Sequence, residues 1–85
     1  MVLLPPDWLT HRGGTLRLWP DGQSWAVLLD NQPQYLVRPI PAEGKFASFV
    51  EQTISGSRLY GKTVYSSTDE ALRGGLEDLR KLLGW

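Results

Sequence analysis

The chain contains no cysteine. Disulfides, zinc-thiolate centres and thiol nucleophiles are therefore excluded, and nothing in the sulfur chemistry marks a redox compartment. Histidine is nearly as scarce. His11, beside Arg12, is the single one. It falls in an irregular stretch with no clustered carboxylate or second imidazole, so it reads as a solvated polar residue rather than a ligand or a base. Net charge is also lacking, because nine Lys and Arg balance nine Asp and Glu. The basic surplus common in nucleic-acid binders is absent from the average, although a local patch stays open. Long apolar runs are missing too. No stretch approaches the ~20 residues that span a bilayer. The opening Met1-Val2-Leu3-Leu4-Pro5-Pro6 has no basic region and reaches two prolines after a short apolar run. It does not read as a signal peptide, and the expectation is a cytoplasmic protein without membrane contact.

Phosphate-cradle and nucleophile motifs fail as well. Gly13-Gly14 and Gly74-Gly75 lack the spacing of a glycine-rich phosphate loop. Ser55-Gly56-Ser57 lacks the flanking glycines of a nucleophile elbow and reads as a turn. The acidic pairs Asp69-Glu70 and Glu77-Asp78 fall on a helix, where they complement its dipole or form ion pairs. No residue is assigned to catalysis, to a cofactor or to a metal, and an enzyme is not expected.

What is present suffices for a fold. At 85 residues, 41% hydrophobic and 21% charged, the chain is too apolar to be disordered. It reads as one domain that buries somewhat over ~60% of its unfolded surface. Its clearest element is the segment from Ser66 to Trp85. Ser67-Thr68-Asp69-Glu70 has the form of a capping box. Gly84 stands where a left-handed terminator belongs, after Arg80 and Lys81. Between them, 100° per residue puts Leu72, Leu76, Leu79 and Leu83 on one stripe, which predicts a helix over 68–83. Gly75 shares that stripe, where a missing side chain lets a helix approach a sheet closely. Gly74 lies on the opposite side, and the sequence offers no reason for it. Asp69–Arg73 and Glu77–Lys81 are i,i+4 pairs in the favourable order.

The front of the chain alternates instead. Residues 1–14 read as an irregular lead-in packed on the sheet, with one helical turn capped by Asp7 and ended by Gly13-Gly14. Thr15-Leu16-Arg17-Leu18-Trp19 is a half-buried strand, closed by Pro20-Asp21-Gly22. Residues 24–30 are apolar on both faces and read as a central strand. After a turn at Asp30-Asn31-Gln32-Pro33, residues 34–38 form a third strand, which Pro39 and Pro41 are expected to stop. Residues 42–56 fit either a further strand or a short helix over 42–55. The strand is preferred, because Gly44 would weaken the first helical turn. Arg58 to Tyr65 reads as another strand with Gly61 as a bulge. The predicted class is α+β: an antiparallel meander of four to five strands packed on one C-terminal helix.

One helix covers one sheet face. If Leu16, Leu18, Trp25, Val27, Leu29, Tyr35 and Val37 face it, the other face carries Arg17, Trp19, Ala26, Leu28, Leu36 and Arg38. Trp and Arg are enriched at binding hot spots. The leading expectation is a small non-catalytic interaction module or subunit. Its partner, an unidentified protein or a second copy, would dock through Arg17, Trp19, Leu28, Leu36 and Arg38. The competing use of this strip is burial beneath residues 1–12. The alternative function is nucleic-acid binding by the sheet, adding Arg58, Tyr60 and Lys62, where cations interleave with tyrosines that can stack on bases. A strand edge guarded by charge would look the same. Trp85 is expected to fold back onto the sheet.

Overall fold

A computed structural model describes residues 3–85. Five strands lie in chain order in one antiparallel sheet: β1 (Thr15–Leu18), β2 (Trp25–Leu29), β3 (Gln32–Ala42), β4 (Lys45–Gln52) and β5 (Arg58–Tyr60). A short helix, α1 (Asp7–Thr10), precedes them, and a long one, α2 (Thr68–Leu83), follows. The α+β meander with its C-terminal helix is the architecture that the hydrophobic periods predict.

Turn chemistry sets the register. Asp30 and Asn31 both take positive φ, at 54° and 61°. Glu43 and Gly44 do the same at 51° and 74°. Two successive left-handed residues make the two-residue hairpin turn whose twist matches that of the strands. Between β1 and β2, Asp21 holds the turn through its carboxylate, which accepts the backbone N–H groups of Gln23 (2.9 Å) and Ser24 (2.8 Å).

Two strand boundaries differ from expectation. β3 does not stop at Arg38; it runs through Pro39 and Pro41 to Ala42. The reason lies in the ladder. Thr53 N–H donates to Gln34 C=O, so even-numbered residues of β3 turn their backbone toward β4 and odd-numbered ones toward β2. The last β2 partner is Trp25, opposite Val37. Pro39 and Pro41 therefore present their missing donors where no neighbour needs them, on an overhanging edge. Residues 45–52 are strand, not helix. They pair with β3 from Ala42↔Lys45 to Tyr35↔Gln52, and this ladder, with Ala47 to Val50 buried on both faces, outweighs the near-helical spacing of Phe46, Phe49 and Val50. β5 is shorter than expected and ends at Tyr60. Tyr65 returns to bridge Phe46, which splits the expected 58–65 strand in two.

α2 starts and stops as its sequence dictates. Ser67 Oγ accepts the Glu70 N–H at 3.1 Å. Glu70 replies to the Ser66 hydroxyl, also at 3.1 Å, rather than to the cap backbone. Gly84 is left-handed at φ 74°. Its N–H donates to Lys81 C=O and that of Trp85 to Arg80 C=O, the paired bonds of a Schellman terminator. Asp69 pairs with Arg73 at 3.1 Å, but Glu77 pairs with Arg80 at 2.6 Å, not with Lys81. That contact holds the Glu77 carboxyl below its ordinary pKa, and burial only partly opposes it.

The core fills the space between the sheet and α2. Leu72, Leu76 and Leu79 meet Trp25, Val27, Val37 and Val50, with Leu3 and Leu9 at one end. A Cβ on Gly75 would lie 2.6 Å from Val37 Cγ1 and 3.2 Å from Ser48 Cβ, so this glycine brings the helix close to β3 and β4. Gly74 also has its reason: a Cβ there would strike the Tyr65 ring. At the N-terminus Pro6, not Asp7, precedes α1, and no side chain caps it. Trp85 packs on Trp8, centroid to centroid 6.0 Å, with Arg12 4.6 Å from its ring. It closes on α1 rather than on the sheet.

Candidate interaction surface on the outer sheet face

Strand alternation sends every second side chain away from α2. Register aligns these side chains into cross-strand rows. One row runs Arg17, Ala26, Leu36, Glu51, Arg58. In the next, Arg38 opposes Phe49 and Phe49 opposes Tyr60. Trp19 N–H donates to Ser24 C=O at 2.9 Å, so Trp19 extends the ladder beyond β1. Apolar side chains described in the lead-in pack elsewhere. Leu3, Trp8 and Leu9 join the core on the α2 side.

Arg38 occupies the middle. It is half-buried, and its guanidinium carbon stands 4.7 Å from the Phe49 ring centroid. Phe49 meets Tyr60 edge-on at 5.0 Å. Stacking over an aromatic face satisfies the cation partly and fixes its plane. Its Nε is buried without a hydrogen-bond partner. Nearby, Asp21 Oδ2 accepts the Ser24 hydroxyl at 2.6 Å. That bond is the largest cause of a carboxyl pKa below the ordinary aspartate value. The Ser24 and Gln23 N–H groups and the positive charge of Arg38 add to it, and burial opposes them. A carboxylate thus sits within electrostatic reach of Arg38 while its oxygens are engaged by its own turn.

The sequence-chosen residues meet different fates. Arg17 is exposed, while Trp19, Leu36 and Arg38 are half-buried. Leu28 lies on this face at 6% exposure and offers almost no surface. Ala26, Ala47 and Phe49 are buried beside it without a covering helix, so the face packs its small and aromatic residues under the longer ones. Arg58 and Tyr60 join the same face; Arg58 pairs with Glu51 at 3.6 Å, and Tyr60 is 57% exposed. Lys62 falls beyond Gly61, in a cleft shared with Asp78 and Lys81 of α2, apart from the Arg38 cluster. Sequence reasoning missed Phe49, Asp21 and Ser24. The signal for Phe49 was available once residues 45–52 are read as a strand, because the Ala42↔Lys45 hairpin then places it against Arg38.

Among the described residues no group of three or more His, Asp or Glu is placed to hold a metal ion, and no helix is long and apolar enough to cross a membrane. Chemically the outer face offers guanidinium donors over apolar and aromatic surface. No protein-family model matches the chain, no curated protein matches it, and no solved structure matches it.

Proposed function

We propose that this protein is a small non-catalytic interaction module that docks a protein partner through its outer sheet face, centred on Arg38. The observation that carries this reading is the state of Arg38: stacked on Phe49, with Nε desolvated and unpaired, on a face that neither α1 nor α2 covers. Nε itself is closed to a ligand, but a partner's acceptor can meet the outer edge of a guanidinium whose plane Phe49 already fixes.

The partner class follows from charge. Arg17, Arg38 and Arg58 share the face, and Glu51 is drawn to Arg58. A second copy docked face to face would bring two faces of like positive balance together, which favours a different protein presenting a carboxylate. Nucleic acid is the second reading, supported by Tyr60 and the same cations. Salt dependence separates them, because phosphate binding weakens steeply with added salt.

The test compares wild type with Arg38→Glu and with Arg73→Glu, a control on the far helix surface. Both variants should stay folded, with a modest loss of stability, because Arg38→Glu gives up the Phe49 stack and Arg73→Glu the Asp69 ion pair. Partners retained by wild type and control but lost to Arg38→Glu support the reading. A retained set identical for all three would sink it. Light scattering showing a dimer that Arg38→Glu dissolves would replace the partner with a second copy, and NMR shifts with single-stranded oligonucleotides at low salt would favour nucleic acid.

A further inference from the structure

The β5 edge carries a second feature, on the border between the sheet and α2. Gln52 N–H donates to Ser57 C=O at 2.8 Å and Gly61 N–H to Ser48 C=O at 2.9 Å. Leu59 lies between them, opposite Val50. Ser57, Leu59 and Gly61 therefore turn their backbone toward β4. By alternation, Arg58 and Tyr60 turn theirs toward the open edge.

Two clefts of about 390 and 440 Å³ flank this edge, and both are lined by Leu59 and Leu82. Leu82 is 60% exposed, although it belongs to α2. Lys62 and Lys81 stand at the second cleft, and among the described residues neither makes an ion pair. The acid beside them, Asp78, is engaged by the Ser48 hydroxyl at 3.2 Å. In a chain of zero net charge, this is a local cationic rim around an apolar floor beside free strand hydrogen-bonding groups.

The β3 overhang differs. It is blocked by Pro39 and Pro41, a usual protection against pairing. The cleft beside it is lined by Leu18, Trp25 and Phe46 and has no charged residue.

We propose that β5 is a docking edge for an extended acidic segment of a partner protein, which adds as a sixth strand. Its backbone bonds to Arg58 and Tyr60. On its inner face an apolar side chain drops beside Leu59 onto Leu82, and acidic side chains two residues to either side, on that same face, reach Lys62 and Lys81. Main-chain bonds then supply affinity, and the alternate side chains supply specificity. This site is separate from the Arg38 face and does not depend on it.

The probe is a short synthetic peptide with leucine at one position, glutamate two residues to either side of it and threonine between, titrated into isotope-labelled protein and followed by NMR. Shifts should concentrate on residues 58–62 and on Leu82, and the Tyr60 amide should gain protection from solvent exchange. The double variant Lys62→Glu/Lys81→Glu should weaken binding roughly tenfold. Leu82→Ser should weaken it with stability unchanged, since Leu82 is exposed. Arg38→Glu should bind as wild type does, which keeps this result independent of the outer-face reading. The proposal is overturned by an absence of shifts, by shifts on the Arg38 rows, or by equal binding of a lysine-for-glutamate peptide. It is equally overturned if an oligonucleotide takes the same edge more tightly, or if the protein alone self-associates there.

Discussion

Gly75 shows how one missing methyl group fixes the distance between two layers. Replacing it with alanine should gain up to about 1 kcal/mol of helix propensity. The added carbon, however, meets Val37 at 2.6 Å inside the core, and overpacking there costs about 1–3 kcal/mol. Gly75→Ala is expected to lower stability by on the order of 1 kcal/mol in urea unfolding. Gly74→Ala should lose less, because the half-buried Tyr65 ring can swing aside while a core contact cannot. The role of Gly75 was legible from the leucine stripe. That of Gly74 was not, because Tyr65 reaches it only through the chain reversal after β5.

Asp21 gives the pH dependence at the same scale. Its carboxyl is held low first by the Ser24 hydroxyl, then by Ser24 and Gln23 N–H groups and by Arg38. The unfolded chain therefore takes up this proton at higher pH than the folded one does. The contribution to stability is present above the unfolded-state pKa and is lost as pH falls through the lower folded-state value. Because the group is largely exposed, the effect is small. An NMR titration should place the Asp21 midpoint below the ordinary aspartate value. Ser24→Ala should move it back upward; an unmoved midpoint would remove the hydroxyl as the main cause.

At the scale of elements, α2 depends on its ends. Ser67→Ala removes the acceptor for the Glu70 N–H and should cost about 0.5–2 kcal/mol, seen as a lowered urea midpoint with unchanged slope. The extent and buried stripe of this helix were readable, because cap, stripe and terminator are all local. The strands were readable only where local signals agreed. Proline ordinarily ends a strand, yet β3 continues because Pro39 and Pro41 fall on the side where β2 has already ended. That fact depends on the length of a different strand. Likewise Phe46, Phe49 and Val50 fit both periods until pairing with β3 decides between them. The partner of Arg38 stayed hidden for the same reason, since a cross-strand neighbour is a property of register.

At the scale of the molecule, one apolar layer joins the sheet to both helices. Leu79, fully buried among these residues, is its sharpest test. Leu79→Ala should cost about 2–5 kcal/mol, with fluorescence and far-UV circular dichroism reporting a single transition. A loss below about 0.5 kcal/mol would show that the stripe does not sit in a packed core. The two-sided layout, with a helix on one face and an apolar strip rimmed by arginines on the other, was legible as a pattern. The cationic rim at β5 and Leu82 was not, because it joins residues from two elements brought together only by the fold.

The sequential strand order has a kinetic consequence. Each strand pairs with its immediate chain neighbour, so every hairpin closes across a short loop at little entropic cost, and such local topologies fold fast. The contact between Trp8 and Trp85 is the opposite case, since it joins two ends of the chain that stay far apart until the sheet and α2 have assembled. Refolding should therefore build the hairpins early and fasten this aromatic latch last.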